Sequence, residues 1–211
     1  GSLNLYSSTA FVNTYSGTGV VTATGGTIAN VYSGIINASS DAIISTVTGA
    51  NATVNFSATS TITSVTNGTL NIGGGAGSVT AVTGGTVNFY GGTATVNLHS
   101  STATLNITGG SVLATATDYQ ANDATSGSAI TATQPVVMFD LTAEQLKDQA
   151  ITLKKTDGTE VFSMTPDKKF SYILISGPAL ALSTAYQLTI GGSTVTAGGS
   201  SSFVLSEVVT E

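Results

Sequence analysis

Along much of the first half of the chain, apolar and polar residues alternate strictly, and glycine breaks the alternation at intervals. In Thr93-Ala94-Thr95-Val96-Asn97-Leu98 the apolar set is Ala94, Val96 and Leu98. The polar set is Thr93, Thr95 and Asn97. The same phase returns in Thr102-Ala103-Thr104-Leu105-Asn106-Ile107. A period of two is the mark of a strand with one face buried. The pairs Gly91-Gly92 and Gly109-Gly110 follow such strands, where the chain must turn sharply.

The pattern is also a repeat. Apolar-Asn-apolar stands at Leu3-Asn4-Leu5, Val54-Asn55-Phe56, Leu70-Asn71-Ile72, Val87-Asn88-Phe89, Val96-Asn97-Leu98 and Leu105-Asn106-Ile107. From Asn4 to Asn55 is 51 residues, three times 17; steps of 16, 17, nine and nine follow. A second series of strands begins at "AFVNTY" (10), "TIANVY" (27), "AIISTV" (42), "TITSVT" (61) and "SVTAVT" (78), at intervals of 17, 15, 19 and 17. The unit is therefore about 17 residues, made of two half-units, each a short strand and a turn. One unit cannot bury its apolar face, but stacked units can. The expected fold is all-β: a β-solenoid over 1–117, with seven rungs at ~4.8 Å making a rod on the order of 35 Å long. A β-sandwich also shows short alternating strands. It gives no reason, however, for Asn to hold one register across a hundred residues.

Composition narrows the picture. The chain has 211 residues, 41% of them hydrophobic, but only 8% charged. The polar surface must be built from Ser, Thr and Asn. There is no Cys, which excludes disulfides and thiolate metal sites. There is no Arg and the net charge is −6, which argues against tracking a phosphate backbone, so no nucleic-acid partner is expected. No apolar run reaches the ~18 residues that a spanning helix needs. Residues 1–117 carry one acid, Asp41, one His, His99, and no Lys, whereas all five Lys fall between 147 and 169. That shift divides the chain into the solenoid, a linker over 118–135 ending at Pro135, and a small β-sandwich-like domain over 136–211. In the last region "VVMFDL", "AITLKK", "EVFSM", "FSYILI", "AYQLTI" and the tail "SSFVLSEVV" read as strands. Thr156-Asp157-Gly158-Thr159 reads as a hairpin turn. A Thr-x-x-Gln capping box predicts a helical turn or two over 142–149. The natural place for this domain is on the C-terminal end of the rod, as a cover.

Two stretches resemble known families. The cycling Gly-Gly-Thr and Val-Asn units of residues 86–110 resemble the passenger repeats of AIDA-type autotransporter adhesins. "VFSMTPDKKFSYILISGPAL…TAYQLTIGG", 161–192, resembles the C-terminal module of clostridial-type cell-surface proteins, which pair it with a β-helix and bind carbohydrate. Thr165-Pro166-Asp167-Lys168-Lys169-Phe170 and Ile175-Ser176-Gly177-Pro178 carry the likeness. The resemblance implies an extracellular or cell-surface protein that binds a glycan. The β-helices of that family hold calcium with many Asp; here only Asp41 is present, so those sites do not carry over.

Catalytic chemistry finds few groups to use. A glycosidase needs two carboxyl groups ~5–10 Å apart, and the solenoid has one. A lyase on a β-helix needs a basic group, and residues 1–117 have neither Lys nor Arg. His99 follows a strand at a turn, and "GGGAGS", 73–78, has no Lys or helix after it to make a phosphate loop. The expected protein is a secreted, non-catalytic one with no cofactor or metal. Its candidate ligand-binding residues are the outward Thr93, Thr95, Asn97, Thr104 and Asn106. Tyr15 and Tyr32, 17 residues apart, are added as a stacked aromatic pair, and Tyr6 and Tyr90 share a column several rungs apart. The expected partner is a polysaccharide or cell-surface glycan. The alternative is self-association into filaments through bare solenoid ends, with ice binding by the Thr/Asn face behind both. Five Asn-x-Ser/Thr sequons, at Asn37, Asn51, Asn55, Asn67 and Asn106, would be decorated if the source glycosylates.

Overall fold

A computed structural model describes residues 1–57, 59–98, 103–116, 129–196 and 202–205. They contain strands and turns and no helix. The described residues between 2 and 116 form a β-solenoid of about six turns with rungs about 17 residues apart. Its strands are β1 (Ser2–Leu5), β2 (Phe11–Ala23), β3 (Thr27–Ala38), β4 (Ile43–Phe56), β5 (Ser60–Val65), β6 (Thr69–Ile72), β7 (Ala76–Val82), β8 (Gly85–Leu98) and β9 (Ala103–Ala116). All pair in parallel, each with its equivalent one turn on.

The register shows why the coil closes. One column runs Asn4–Thr22–Asn37–Asn55–Asn71–Asn88–Asn106, at steps of 18, 15, 18, 16, 17 and 18 residues. The column has seven members joined by six steps, which is about six turns, and each nine-residue step of the sequence is half a turn. Asn97 lies half a turn beyond Asn88, opposite Thr115. Within β8 the ladder register breaks between Tyr90 and Thr93, at the Gly91-Gly92 corner. Gly92 has φ +76, and a side chain there would collide with the Gly75 carbonyl of the rung below. Glycine is required at this corner by both conformation and space.

Each rung folds back so that both halves face one core. Val54, Leu70, Val87 and Leu105 stack on one wall, and Ile28, Ile44, Ile62 and Val79 on the other. All belong to one buried cluster. Wide and narrow columns complement each other. The column containing Phe56, Ile72, Phe89 and Ile107 is bulky, whereas Ser60, Gly77 and Ala94 form a column of small residues. The Phe56 ring reaches Gly77, where an added Cβ would sit 2.5 Å from Cε1. Gly77 thus makes room for a ring from the facing half of the coil.

The C-terminal region covers the last coil, as a solenoid end requires. β14 (Phe170–Ser176) pairs antiparallel with the second half of β9, from Tyr172 opposite Ala116 to Ser176 opposite Val112. β11 (Val136–Gln145) then pairs with β14. The second sheet contains β12 (Ile151–Lys155), β13 (Glu160–Met164), β15 (Ala185–Ile190), β16 (Ser193–Thr194) and β17 (Phe203–Val204). β14 serves two cores. Tyr172 and Leu174 join the solenoid core, while Ile173 and Ile175 join a second core with Leu153, Phe162, Tyr186 and Leu188. A strand buried on both faces reads as an unbroken apolar run, which "YILI" is.

Two local outcomes differ from the sequence reading. The capping-box stretch is not helical: the strand continues to Gln145, which pairs with Phe170 after a register shift, and the chain then turns at Asp148 (φ +63). Ladder pairing with β14 overrides the local signal there. Residues 129–132, at the end of the stretch assigned to a linker, form β10, which pairs in parallel with the first half of β9 and buries Ile130 and Ala132. The junction is fastened by Gln134, whose Nε2 donates to the Gly110 carbonyl (2.8 Å) and to Ser176 Oγ (2.7 Å). Ser176, fully buried, donates in turn to the Pro135 carbonyl (2.9 Å). The Thr156–Thr159 turn forms as expected, with Gly158 at φ +90 and Lys155 N–H donating to the Thr159 carbonyl.

Candidate ligand-binding face

On the outer side of the wall formed by Val54, Leu70, Val87 and Leu105, two polar columns run side by side. The first is Thr53–Thr69–Thr86–Thr104 and the second Asn55–Asn71–Asn88–Asn106, with one core residue between them in every rung. Alternation of side chains places both columns on the same face. The sequence Thr-x-Asn, with Val or Leu at x, is all that each rung needs to build its part.

The asparagines are bonded to one another. Asn55 Nδ2 donates to Asn37 Oδ1 (2.9 Å), Asn71 to Asn55 (2.8 Å), Asn88 to Asn71 (2.8 Å) and Asn106 to Asn88 (2.7 Å). Every donor points toward the earlier rung, so five amide dipoles lie in series and polarise one another. An amide has two N–H groups and a carbonyl oxygen with two lone pairs. In this ladder, mid-column side chains use one N–H and one lone pair, leaving one of each for a ligand or water.

The seven residues singled out by sequence do not share one site. Thr104 and Asn106 belong to the Thr/Asn face. Thr93, Thr95 and Asn97 lie in the second half of β8, on the other face of the rod. A half-turn step of nine residues mimics a full rung in a sequence, which is why both sets carry the same pattern. Thr93 and Thr95 instead line a groove of about 330 Å³ with Thr61, Ser78, Met164 and Thr165, where the C-terminal region leans on the solenoid. Asn97 is only 3% exposed, and its Oδ1 is buried with no hydrogen-bond partner among the described residues.

Tyr15 and Tyr32 do not stack. The register pairs Tyr15 with Val31, a core residue, so Tyr15 turns inward and packs against the core. Tyr32 is the next residue after Val31 and stands half exposed. One residue of slip sends a side chain to the opposite face. Tyr6 and Tyr90 do share a column, each following a member of the Leu5–Ala23–Ala38–Phe56–Ile72–Phe89 row. Tyr90 is 58% exposed and borders a depression of about 440 Å³ with Asn37, Asn55, Phe56, Ser57, Asn71 and Gly73.

The sequence reading missed Asn37 as a ladder member and Thr22 as its neighbour in the column. The cue was present in Ile36-Asn37-Ala38, but the unequal turns of 15 and 18 residues hid it. Of the five sequons, Asn37, Asn55 and Asn106 have their amides in the ladder, whereas Asn51 and Asn67 are exposed outside it. Gly73–Gly75 form the bend between β6 and β7, with Gly75 at φ +70. Asp41 is exposed. His99 lies outside the described residues. Among the described residues no group of three His, Cys, Asp or Glu could hold a metal ion, and no helix is long and apolar enough to cross a membrane. No family model, curated protein or solved structure matches the chain.

Proposed function

We propose that this chain is a non-catalytic, extracellular binding protein that holds a neutral polysaccharide or cell-surface glycan along its Thr/Asn face. The observation that carries the reading is the paired column of hydroxyls and amides, uncharged over four consecutive rungs and repeating at the ~4.8 Å spacing of parallel coils. An extended polymer of hydroxyl-bearing units can engage such a ladder at several rungs, so weak contacts add through high local concentration. The half-buried side chains lose little freedom on binding, because neighbours on both sides already hold them. The solenoid carries no Lys or Arg, so an anionic polymer would find no ion pair there, which favours a neutral one. The resemblance of 161–192 to carbohydrate-binding cell-surface modules points the same way, as does a solenoid with one acid, one His and no Lys or Arg to a non-catalytic role.

Sedimentation of the full chain with insoluble or gelled neutral polysaccharides tests the reading. Retention should fall when Thr69→Ala and Thr86→Ala are combined, while Thr93→Ala, on the other face, should change nothing. No retention by any member of a broad neutral panel would end it. The filament alternative keeps one supporting feature, since among the described residues β1 pairs with β2 alone. The opposite end is covered by β14, so stacking would not join two bare coils. Light scattering at rising concentration separates the two readings.

A further inference from the structure

We infer that Tyr90 and the depression beside it form a discrete subsite for one sugar ring of the polysaccharide, with Tyr90 as the stacking platform; this rests on the binding role proposed above. The column that Tyr90 occupies holds Ser57 and Gly73 in the two preceding rungs. Both are too small to fill the surface, so the ring stands at the end of a shelf. The shelf is open: a Cβ on Gly73 would meet only the Phe56 carbonyl, at 3.8 Å. Along one side run Asn37, Asn55 and Asn71, the first half of the amide ladder. Among the described residues no charged side chain lines the depression.

Those three properties select a chemical class. An aromatic face carries negative quadrupole charge, and the axial C–H groups on one face of a pyranose complement it. The hydroxyls at the rim of the sugar need donors and acceptors together, which the leftover N–H and lone pair of each ladder amide supply. A fully apolar ligand would leave those amides unmet, and an ionic one would find no counter-charge. The neutral pyranose is the ligand that satisfies both walls. Tyr6 is the internal control: it shares the column and is 70% exposed, but it has no part in the depression.

The test measures affinity for the polysaccharide best retained by the full chain, and for short oligosaccharides cut from it, in four proteins: wild type, Tyr90→Ala, Tyr90→Phe and Tyr6→Ala. Tyr90→Ala should weaken binding by about tenfold, as expected for loss of one stacked ring, with Tyr90→Phe and Tyr6→Ala close to wild type. Because Tyr90 is mostly exposed, the thermal midpoint should not move, which separates lost contact from lost fold. Wild-type affinity in Tyr90→Ala overturns the subsite and leaves the Thr/Asn face standing. Equal loss in Tyr6→Ala overturns it as well, since the effect would then be general to exposed tyrosines. Failure of the wild type to bind any neutral polymer overturns both proposals together.

Discussion

The amide ladder makes a quantitative claim about stability. Asn71 takes part in two of its hydrogen bonds, donating to Asn55 and accepting from Asn88. Asn88 also takes part in two, one of them the same bond. A typical hydrogen bond contributes about 0.5–1.5 kcal/mol net. These side chains are half buried, so water can meet part of the loss, and about 1–2 kcal/mol is expected for either Asn71→Ala or Asn88→Ala. For a chain of this size that lowers Tm by roughly 2–8 °C. The double substitution removes three bonds rather than four, because one is shared. A double-mutant cycle by urea unfolding should therefore show a coupling of about 0.5–1.5 kcal/mol, the double variant being less damaged than the sum. Asn106→Ala, which removes one such bond, should cost about half as much as Asn71→Ala. Strict additivity of Asn71→Ala and Asn88→Ala, within ~0.3 kcal/mol, would mean that the ladder contributes nothing beyond ordinary solvation of separate amides.

Two further outcomes follow from the packing and the C-terminal turn. Gly77→Ala should destabilise by about 1–3 kcal/mol through its approach to the buried Phe56 ring; shortening the ring in Gly77→Ala/Phe56→Leu should cost less than the two changes summed, and a harmless Gly77→Ala would show that the core is loose there. In the β12–β13 turn the Asp157 carboxyl is held below its ordinary value of 3.8, mainly by the Thr159 backbone N–H (2.8 Å), then by the Thr159 hydroxyl, with Lys155 helping. A depressed folded value means that this stabilisation is present above about pH 4 and fades as the pH falls through and below the ordinary value. Asp157→Ala should accordingly lower the thermal midpoint near neutral pH and leave it unchanged in strong acid, whereas an equal difference at both extremes would assign the effect to turn geometry alone.

Period-two alternation and the recurrence of apolar-Asn-apolar were enough to establish coiled architecture and rung length, because both follow from local geometry that every turn must satisfy. The double-faced burial of β14 left a signal in the unbroken apolar run Tyr172–Ile175, which the sequence reading took only as a strand. Which strand belongs to which wall was not legible. The half-rung step of nine residues repeats the same chemistry on the opposite side of the rod, so Asn97 and Asn106 look alike in sequence and face apart in space. The register between neighbouring turns depends on corners of unequal length, and a slip of one residue put Tyr15 inside and Tyr32 outside. The pairing of Gln145 with Phe170 likewise turned a helix-start signal into strand, since ladder bonds to a distant segment outweigh local capping. That coils form, and what lines them, follows from residue order alone. Which amides touch, where an aromatic ring stands clear of its neighbours, and how the last coil is covered emerge in the folded stack, because those depend on how the corners add up over all its turns.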